Sequence, residues 1–374
     1  MDFSLDDTQV DLRDLTAQIL EAEVTVERLK ELEAGDEIID RDVWRLLAEA
    51  NLLGVSLPES VGGSGYGIGE LCVLLEQVGR NVAPVPLLAT VGMGAMPIAQ
   101  FGTDEQQQRW LPPVVAGSSL LTAAVQDPGT DFRSAPATTA TADGSAWRLE
   151  GEKVGVPYAT QADALLVPAS TGDGSVGVFV VAPDAAGLTI EAATATNGEP
   201  QGHLALDGVV VDSDGVLGDP VAGDEVAQWM YEHALAGLCA TGLGVLDREL
   251  RMTADYLSER EQFGRPIATF QAATSRAADA YIDVEAIRVT TWSAIWRLSV
   301  GRPATDELAM AKFWVADGGQ RVASACQHLH GGMGADTDYP IHRYFRWAKH
   351  IELTLGGATT QLLRLGDALA AEAS

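Results

Sequence analysis

The sequence predicts an α+β chain in three parts: helical to about residue 118, β-rich over 119–222, and helical again over 223–374. Apolar residues recur at helical spacing near both ends, most clearly at Leu235, Leu238, Gly242, Leu246, Leu250, Thr253 and Leu257. Between them the composition shifts to Thr, Val, Ala, Gly and Asp in short apolar or alternating runs. Those runs follow one another with no helical segment between, which suggests an antiparallel barrel or sandwich.

In the first part, Phe3, Leu5, Val10, Leu12, Leu15, Ile19 and Leu20 form one helical stripe. Further helices are expected over Asp42–Ala50 and Glu70–Val78. Between these two, LPESVGGSGYG (Leu57–Gly67) lacks the lysine and strand–loop–helix context of a phosphate loop, and reads as a turn. Asp104 and Glu105 suit a helix N-terminus, and Pro112-Pro113 are expected to end that helix. LLTAAV, WRLEGEKVGV, DALLVPA, GVFVVA and HLALDGVVV supply strands, with turns at Asp143-Gly144 and Asp173-Gly174. DGVVVDSDG (Asp207–Gly215) reads as a hairpin, since its acidic spacing does not match a calcium loop. In the last part a long helix breaks at Phe263-Gly264 and a second starts at Ala272. The tail LGDALAAEAS reads as a fraying helix end.

A chain of 374 residues, 47% hydrophobic and 21% charged, is long enough for a large core. The net charge of −29 argues against nucleic acid or an anionic membrane as partner, though a local basic pocket is compatible with it. Cys72, Cys239 and Cys326 are isolated in apolar runs without metal-ligand spacing, so buried reduced thiols are expected and no metal site. The acidic N-terminus does not resemble a signal peptide, and no apolar run reaches the roughly 18 residues of a membrane span. A cytoplasmic protein is the expectation.

Two segments can carry cofactor chemistry. The helical-hairpin tip YLSEREQFGRPIATFQ, Tyr256–Gln271, presents Arg260, Arg265 and Gln271. Arginine there can fork onto a phosphate and glutamine can pair with a base or amide, or the tip is simply a solvated turn. In CQHLHGGMG, Cys326–Gly334, a double glycine after a helix lets backbone amides approach a pyrophosphate, or caps the helix. Trp229, Trp292, Trp296, Trp314 and Trp347 read as core and interface residues.

The spacing of Arg260, Phe263, Gly264 and Gln271 resembles the acyl-CoA dehydrogenase family, as do LPESVGGSG, FGTDEQQQRWLPPVVAG, QHLHGGMG and YPIHRYFRWAK. The resemblance covers essentially the whole chain. It implies an N-terminal helical domain (1–118), a middle β-barrel or sandwich (119–222) and a C-terminal four-helix bundle for oligomerisation (223–374). It further implies FAD, an acyl-CoA substrate and electron-transfer flavoprotein as acceptor. The residues it assigns to FAD are Arg260, Phe263, Gln271, Gln327, His328, Gly331, Gly332, Gln126 and Asp127.

The departures from the family pattern matter as much. Its glutamine in the QLHGG segment falls on His328, with Gln327 one place earlier. Its T-E-P-x-x-G-S-D segment is shortened to Val125–Asp131, without the serine. Its flavin-facing aromatic and threonine fall on Gly155 and Pro157. Both positions of its catalytic glutamate lack a carboxylate: one falls on Gly356, the other on Ala234. Glu232 lies about 200° around the helix from Ala234, and Asp247 and Glu249 read as helix-surface residues. The resemblance therefore implies a non-catalytic subunit of a heteromer, similar to subunits of heterotetrameric steroid side-chain acyl-CoA dehydrogenases, with the catalytic residue of this chain unknown. A self-sufficient homo-oligomer with a displaced base, and a flavin-free scaffold, are the alternatives.

Overall fold

A computed structural model of the chain describes every residue except 1–3, 36–37, 131–134, 173 and 373–374; Phe3, Asp131 and Asp173 thus lie outside the described residues. The chain opens with α1 (Asp7–Glu23), α2 (Val26–Ala34), α3 (Arg41–Glu49), α4 (Ile68–Arg80), a wide helical segment (Leu88–Ala95), α5 (Met96–Phe101) and α6 (Asp104–Val115). Strands follow: β1 (Leu121–Ala123), β2 (Thr139–Asp143), β3 (Ala146–Pro157), β4 (Ala164–Gly172), β5 (Ser175–Val181), β6 (Leu188–Thr194), β7 (Pro200–Val211) and β8 (Val216–Leu217). The last part holds α7 (Asp224–Glu259), a ribbon of β9 (Glu261–Gln262) and β10 (Arg265–Pro266), and α8 (Gln271–Ser299). It closes with α9 (Thr305–Phe313), α10 (Gly319–His330), α11 (Ile341–Leu353) and α12 (Ala358–Glu372). The order helical, β, helical is the one the sequence predicts. The alanine-rich tail continues α12 in helical form to Glu372.

These elements form two compact units, one of residues 32–71 and 84–237, the other of 1–31, 72–83 and 238–374. In the first, the strands make one sheet in the order β6-β7-β3-β2-β4-β5-β8, with β1 beside β4. Most pairs are antiparallel, as expected, but β1–β4 and β2–β4 run parallel. In both pairs β3 lies in the connection to β4, which supplies the crossover that a parallel neighbour needs in place of a tight turn. Strand β6 is not among the expected strands: it carries no fully buried residue, and only Leu188 and Ile190 pack against the core. Asp207–Gly215 is not a hairpin: its first half ends β7, which pairs with β3 and β6, and Ser213–Gly215 is a short helical turn. Leu149, Val167, Phe179 and Val209 lie at the centre of the sheet's core.

Helix α6 starts on a capping box, with Thr103 accepting from the Gln106 N–H and the Gln106 side chain from the Thr103 N–H. Pro112 and Pro113 do not end it, contrary to expectation; they sit inside its last turns. A proline lacks a donor but keeps its acceptor, and both carbonyls are used, by Ala116 and Ser118. The helix stops instead near Gly117, whose φ of 71° suits glycine.

In the second unit the predicted α7 stripe is buried from Leu238 to Leu257. Gly79 of α4 and Gly244 of α7 allow those helices to touch: a Cβ at Gly79 would stand 2.0 Å from the Thr241 carbonyl, and one at Gly244 1.9 Å from the Glu76 carbonyl. Cys72, Cys239 and Cys326 are buried thiols outside any disulfide. Among the described residues no helix is long and apolar enough to cross a membrane.

Candidate functional site

The arginine tip is a two-strand ribbon rather than a plain helix–helix turn, with Arg265 opposite Gln262 and Pro266 opposite Glu261. Phe263 and Gly264, with φ of 55° and 76°, make the two-residue turn whose twist matches antiparallel strands. Glycine adopts that φ freely; phenylalanine does so under strain. The strained ring is 93% exposed. The Ile267 N–H closes the loop by donating to the Arg260 carbonyl at 2.8 Å. Arg260, Arg265 and Gln271 are all exposed, and the Arg265 guanidinium lies 4.2 Å from the centre of the Phe270 ring.

The glycine turn meets the end of α7 that carries this tip. Tyr256 stacks on His330 at 4.5 Å between ring centres, and His330 lies 5.3 Å from Tyr339. Gly331 ends α10 at φ 58° and ψ −133°, a conformation reserved for glycine. Exposed Gly331 and Gly332 have nothing within 4 Å of a built Cβ, so their backbone faces open space. The turn is anchored from inside, where the Gln327 amide donates to the Gly334 carbonyl at 2.6 Å. Gln327 is thus engaged with the protein, while His328 is exposed. An open glycine backbone of this kind, and exposed arginines such as those of the ribbon, are each suited to the pyrophosphate of a dinucleotide.

In the sheet unit, Gln126 is half-buried and its carbonyl accepts from the Val154 N–H. Asp127 is turned inward. Its carboxylate accepts from the Thr138 N–H and hydroxyl at 2.8 and 2.6 Å and pairs with the buried Lys153 ammonium at 3.0 Å. Burial pulls the Lys153 ammonium below its ordinary range, and Asp127 opposes that pull. The side chain of Asp127 is spent on this clasp, which leaves only the backbone there for a ligand. Gly155 has φ 61° and its N–H lies 3.3 Å from His203 Nδ1.

Neither position expected for the catalytic glutamate offers a carboxylate. Ala234 is buried, and Glu232 accepts from the Gln228 amide one turn away at 2.8 Å. Leu355 and Gly356 turn through φ 56° and 90°, and the buried Gln361 amide donates to both their carbonyls at 3.2 Å. A Cβ at Gly356 would meet Thr360 Cγ2 at 2.9 Å and Gln361 Nε2 at 3.1 Å. Beneath the turn, fully buried Lys312 donates to the Ile351 and Glu352 carbonyls at 2.8 and 3.0 Å, capping α11. Burial pulls its ammonium down to about 8. Lys312 and Gln361 were not foreseen; the one signal was a lone lysine inside the apolar run LAMAKFWVA.

Asp247 and Glu249 are not on the surface, as expected, but buried. Asp247 is held by Arg80 at 2.5 Å, Arg251 at 2.8 Å and Arg288 at 2.7 Å. Burial pushes its carboxyl up, but those guanidinium groups prevail and hold it below the ordinary range. Glu249 has no such company among the described residues.

Two family models, described as "Acyl-CoA dehydrogenase, N-terminal domain" and "Acyl-CoA dehydrogenase, C-terminal domain", match residues 6–118 and 222–370. The chain is 41% identical to the acyl-CoA dehydrogenase FadE27 of Mycobacterium tuberculosis, covering 99% of both proteins. Among solved structures it is similar to the ChsE4–ChsE5 complex of Mycobacterium tuberculosis, at 42% identity, TM-score 0.93 and 99% of each chain. It is likewise similar to a variant of the Tcur3481–Tcur3483 steroid acyl-CoA dehydrogenase, at 46% identity and TM-score 0.92, covering 98% of this chain and 99% of that one.

Proposed function

Because the chain belongs to the acyl-CoA dehydrogenase family, oxidoreductases acting on the CH–CH bond of acyl-CoA esters, we propose that it is one subunit of a heteromeric, FAD-dependent member. In this reading it lends cofactor contacts to a site whose carboxylate base comes from a partner chain. The observation that carries it is the contrast at two glycines: open backbone at Gly331, and a filled turn without room for a carboxylate at Gly356. Bound FAD would supply the acceptor for the substrate hydride. Arg260 and Arg265 then offer positive charge to the diphosphate, Gly331 and Gly332 offer backbone at close range, and Gln271 offers an amide.

A steroid side-chain CoA ester is the substrate class we favour, on the similarity to the steroid acyl-CoA dehydrogenase structure. The partner is a second acyl-CoA dehydrogenase chain, as in the two-protein complexes the chain resembles, and the acceptor is electron-transfer flavoprotein. The division at about 118 and 222 and a cytoplasmic location complete the reading.

The test is a visible absorption spectrum of the chain purified alone and co-expressed with a neighbouring acyl-CoA dehydrogenase gene. Yellow colour only in the co-purified complex, at about one flavin per pair, is expected. A yellow chain alone that an acyl-CoA bleaches would overturn the shared site, and a colourless complex would overturn flavin binding altogether.

A further inference from the structure

One carboxyl near the glycine turn has no part in the chemistry above. Glu249 shares a face of α7 with Thr253 and Tyr256, and that face packs on Cys326 and His330 of α10. Glu249 is 0% exposed, and neither carboxyl oxygen has a hydrogen-bond partner among the described residues. The Nε2 of His330, one turn beyond Cys326, is likewise buried and unpartnered among them, while its Nδ1 lies 2.9 Å from the Cys326 carbonyl.

Among the described residues no cation compensates Glu249. From α10 it faces the Cys326 thiol, which burial pushes far up with Glu249 adding to the rise. From α11 it feels the Tyr344 hydroxyl, raised by burial and opposed by Arg248 and Arg80. Arg80 of α4 is ion-paired with Asp247. Burial acting alone pushes the Glu249 carboxyl up to about 8. A neutral acid can occupy such a place; an unpaired anion cannot do so without opening it to water. What lies immediately beyond on α10 is the Gly331 turn.

We propose that Glu249 is a proton-held latch for the Gly331–Gly334 turn. Protonated, it lets α7 and the end of α10 close on each other; ionised, it favours a state in which that end lifts and water reaches the carboxyl. Glu249 is thus a positioning residue, acting through His330 and the turn. The group is more basic closed than open, so closure is fully supported below the ordinary glutamate range, and that support is lost as pH rises through about 8. The consequence for cofactor binding rests on the turn being the flavin cradle, as proposed above.

Hydrogen exchange over residues 327–335 of the full chain tests the latch without flavin. Corrected for the intrinsic pH dependence of exchange, protection should fall by about tenfold per pH unit between pH 6.5 and 7.5, above the range in which His330, held neutral by burial, adds the opposite trend. Glu249→Gln, which cannot ionise, should show protection independent of pH over that range, as should the volume-matched Glu249→Met if the glutamine variant fails to fold. Equal pH dependence in wild type and variant overturns the proposal, and so does flat protection in wild type. A pH-dependent turn beside a pH-independent flavin content in the co-purified complex would keep the latch and overturn the cradle.

Discussion

The two glycine turns of the helical unit share a positive φ and have opposite surroundings. At Gly331 the left-handed backbone opens onto empty space; at Gly356 it is packed against Thr360 and Gln361, over a helix end capped by buried Lys312. Glycine in a sequence therefore says that the backbone needs freedom or closeness, but not which. The difference comes from how each turn's neighbours pack: Gln327 holds the first turn from within, and Gln361 closes the second from the side.

The most damaging way to break this comparison is to close the open turn. Gly331→Val forces a side chain into a conformation that costs about 1–3 kcal/mol, and it places methyls where a ligand would lie. The expected result is a co-purified complex with less than about a tenth of its flavin, measured by absorbance, and a lowered unfolding midpoint. Next comes re-arming the closed turn. Gly356→Glu should destabilise the chain by about 1–2 kcal/mol in denaturant titration, without conferring acyl-CoA oxidation on the chain alone. Thr360→Ala removes the nearest methyl and should recover part of that loss.

A smaller effect is expected at the lysine beneath. Lys312→Met should cost about 1–2 kcal/mol near neutral pH, since two buried carbonyls lose their donor. Because burial pulls the ammonium down to about 8, the native state prefers neutral lysine. Wild-type stability should therefore gain on the variant as pH rises from about 8 to 10, the reverse of the Glu249 trend. The smallest effect on stability belongs to Arg260→Ala, within about 0.5 kcal/mol, because the side chain is exposed. Its flavin content should nonetheless fall by several-fold; an unchanged content would leave the arginine tip without a role in binding.

Much of this fold was legible in the sequence wherever burial follows a period. The α7 stripe repeats at helical spacing, so it could be read; β6 packs only Leu188 and Ile190 against the core and β8 is two residues long, too short for a rhythm. Pro112 and Pro113 misled because the rule that prolines break helices ignores their carbonyls. The arginine tip and double glycine were visible because local spacing encodes them. The clasp of Asp127 on Lys153 was not, because it joins residues 26 apart in the chain. Asp247 and Glu249 read as helix-surface residues in the sequence, and both are buried. One is buried because three arginines converge on it, the other because it need not be charged.

Phe263 remains, a large ring held out in a strained turn with almost all of its surface in water. Covering such a ring releases about 1.5–3 kcal/mol, so a copy left without its cover carries a sticky point at the very tip of a ribbon. A chain that seats the ring would thereby hold the ribbon's turn as well, since covering the side chain offsets the cost of the backbone conformation beneath it.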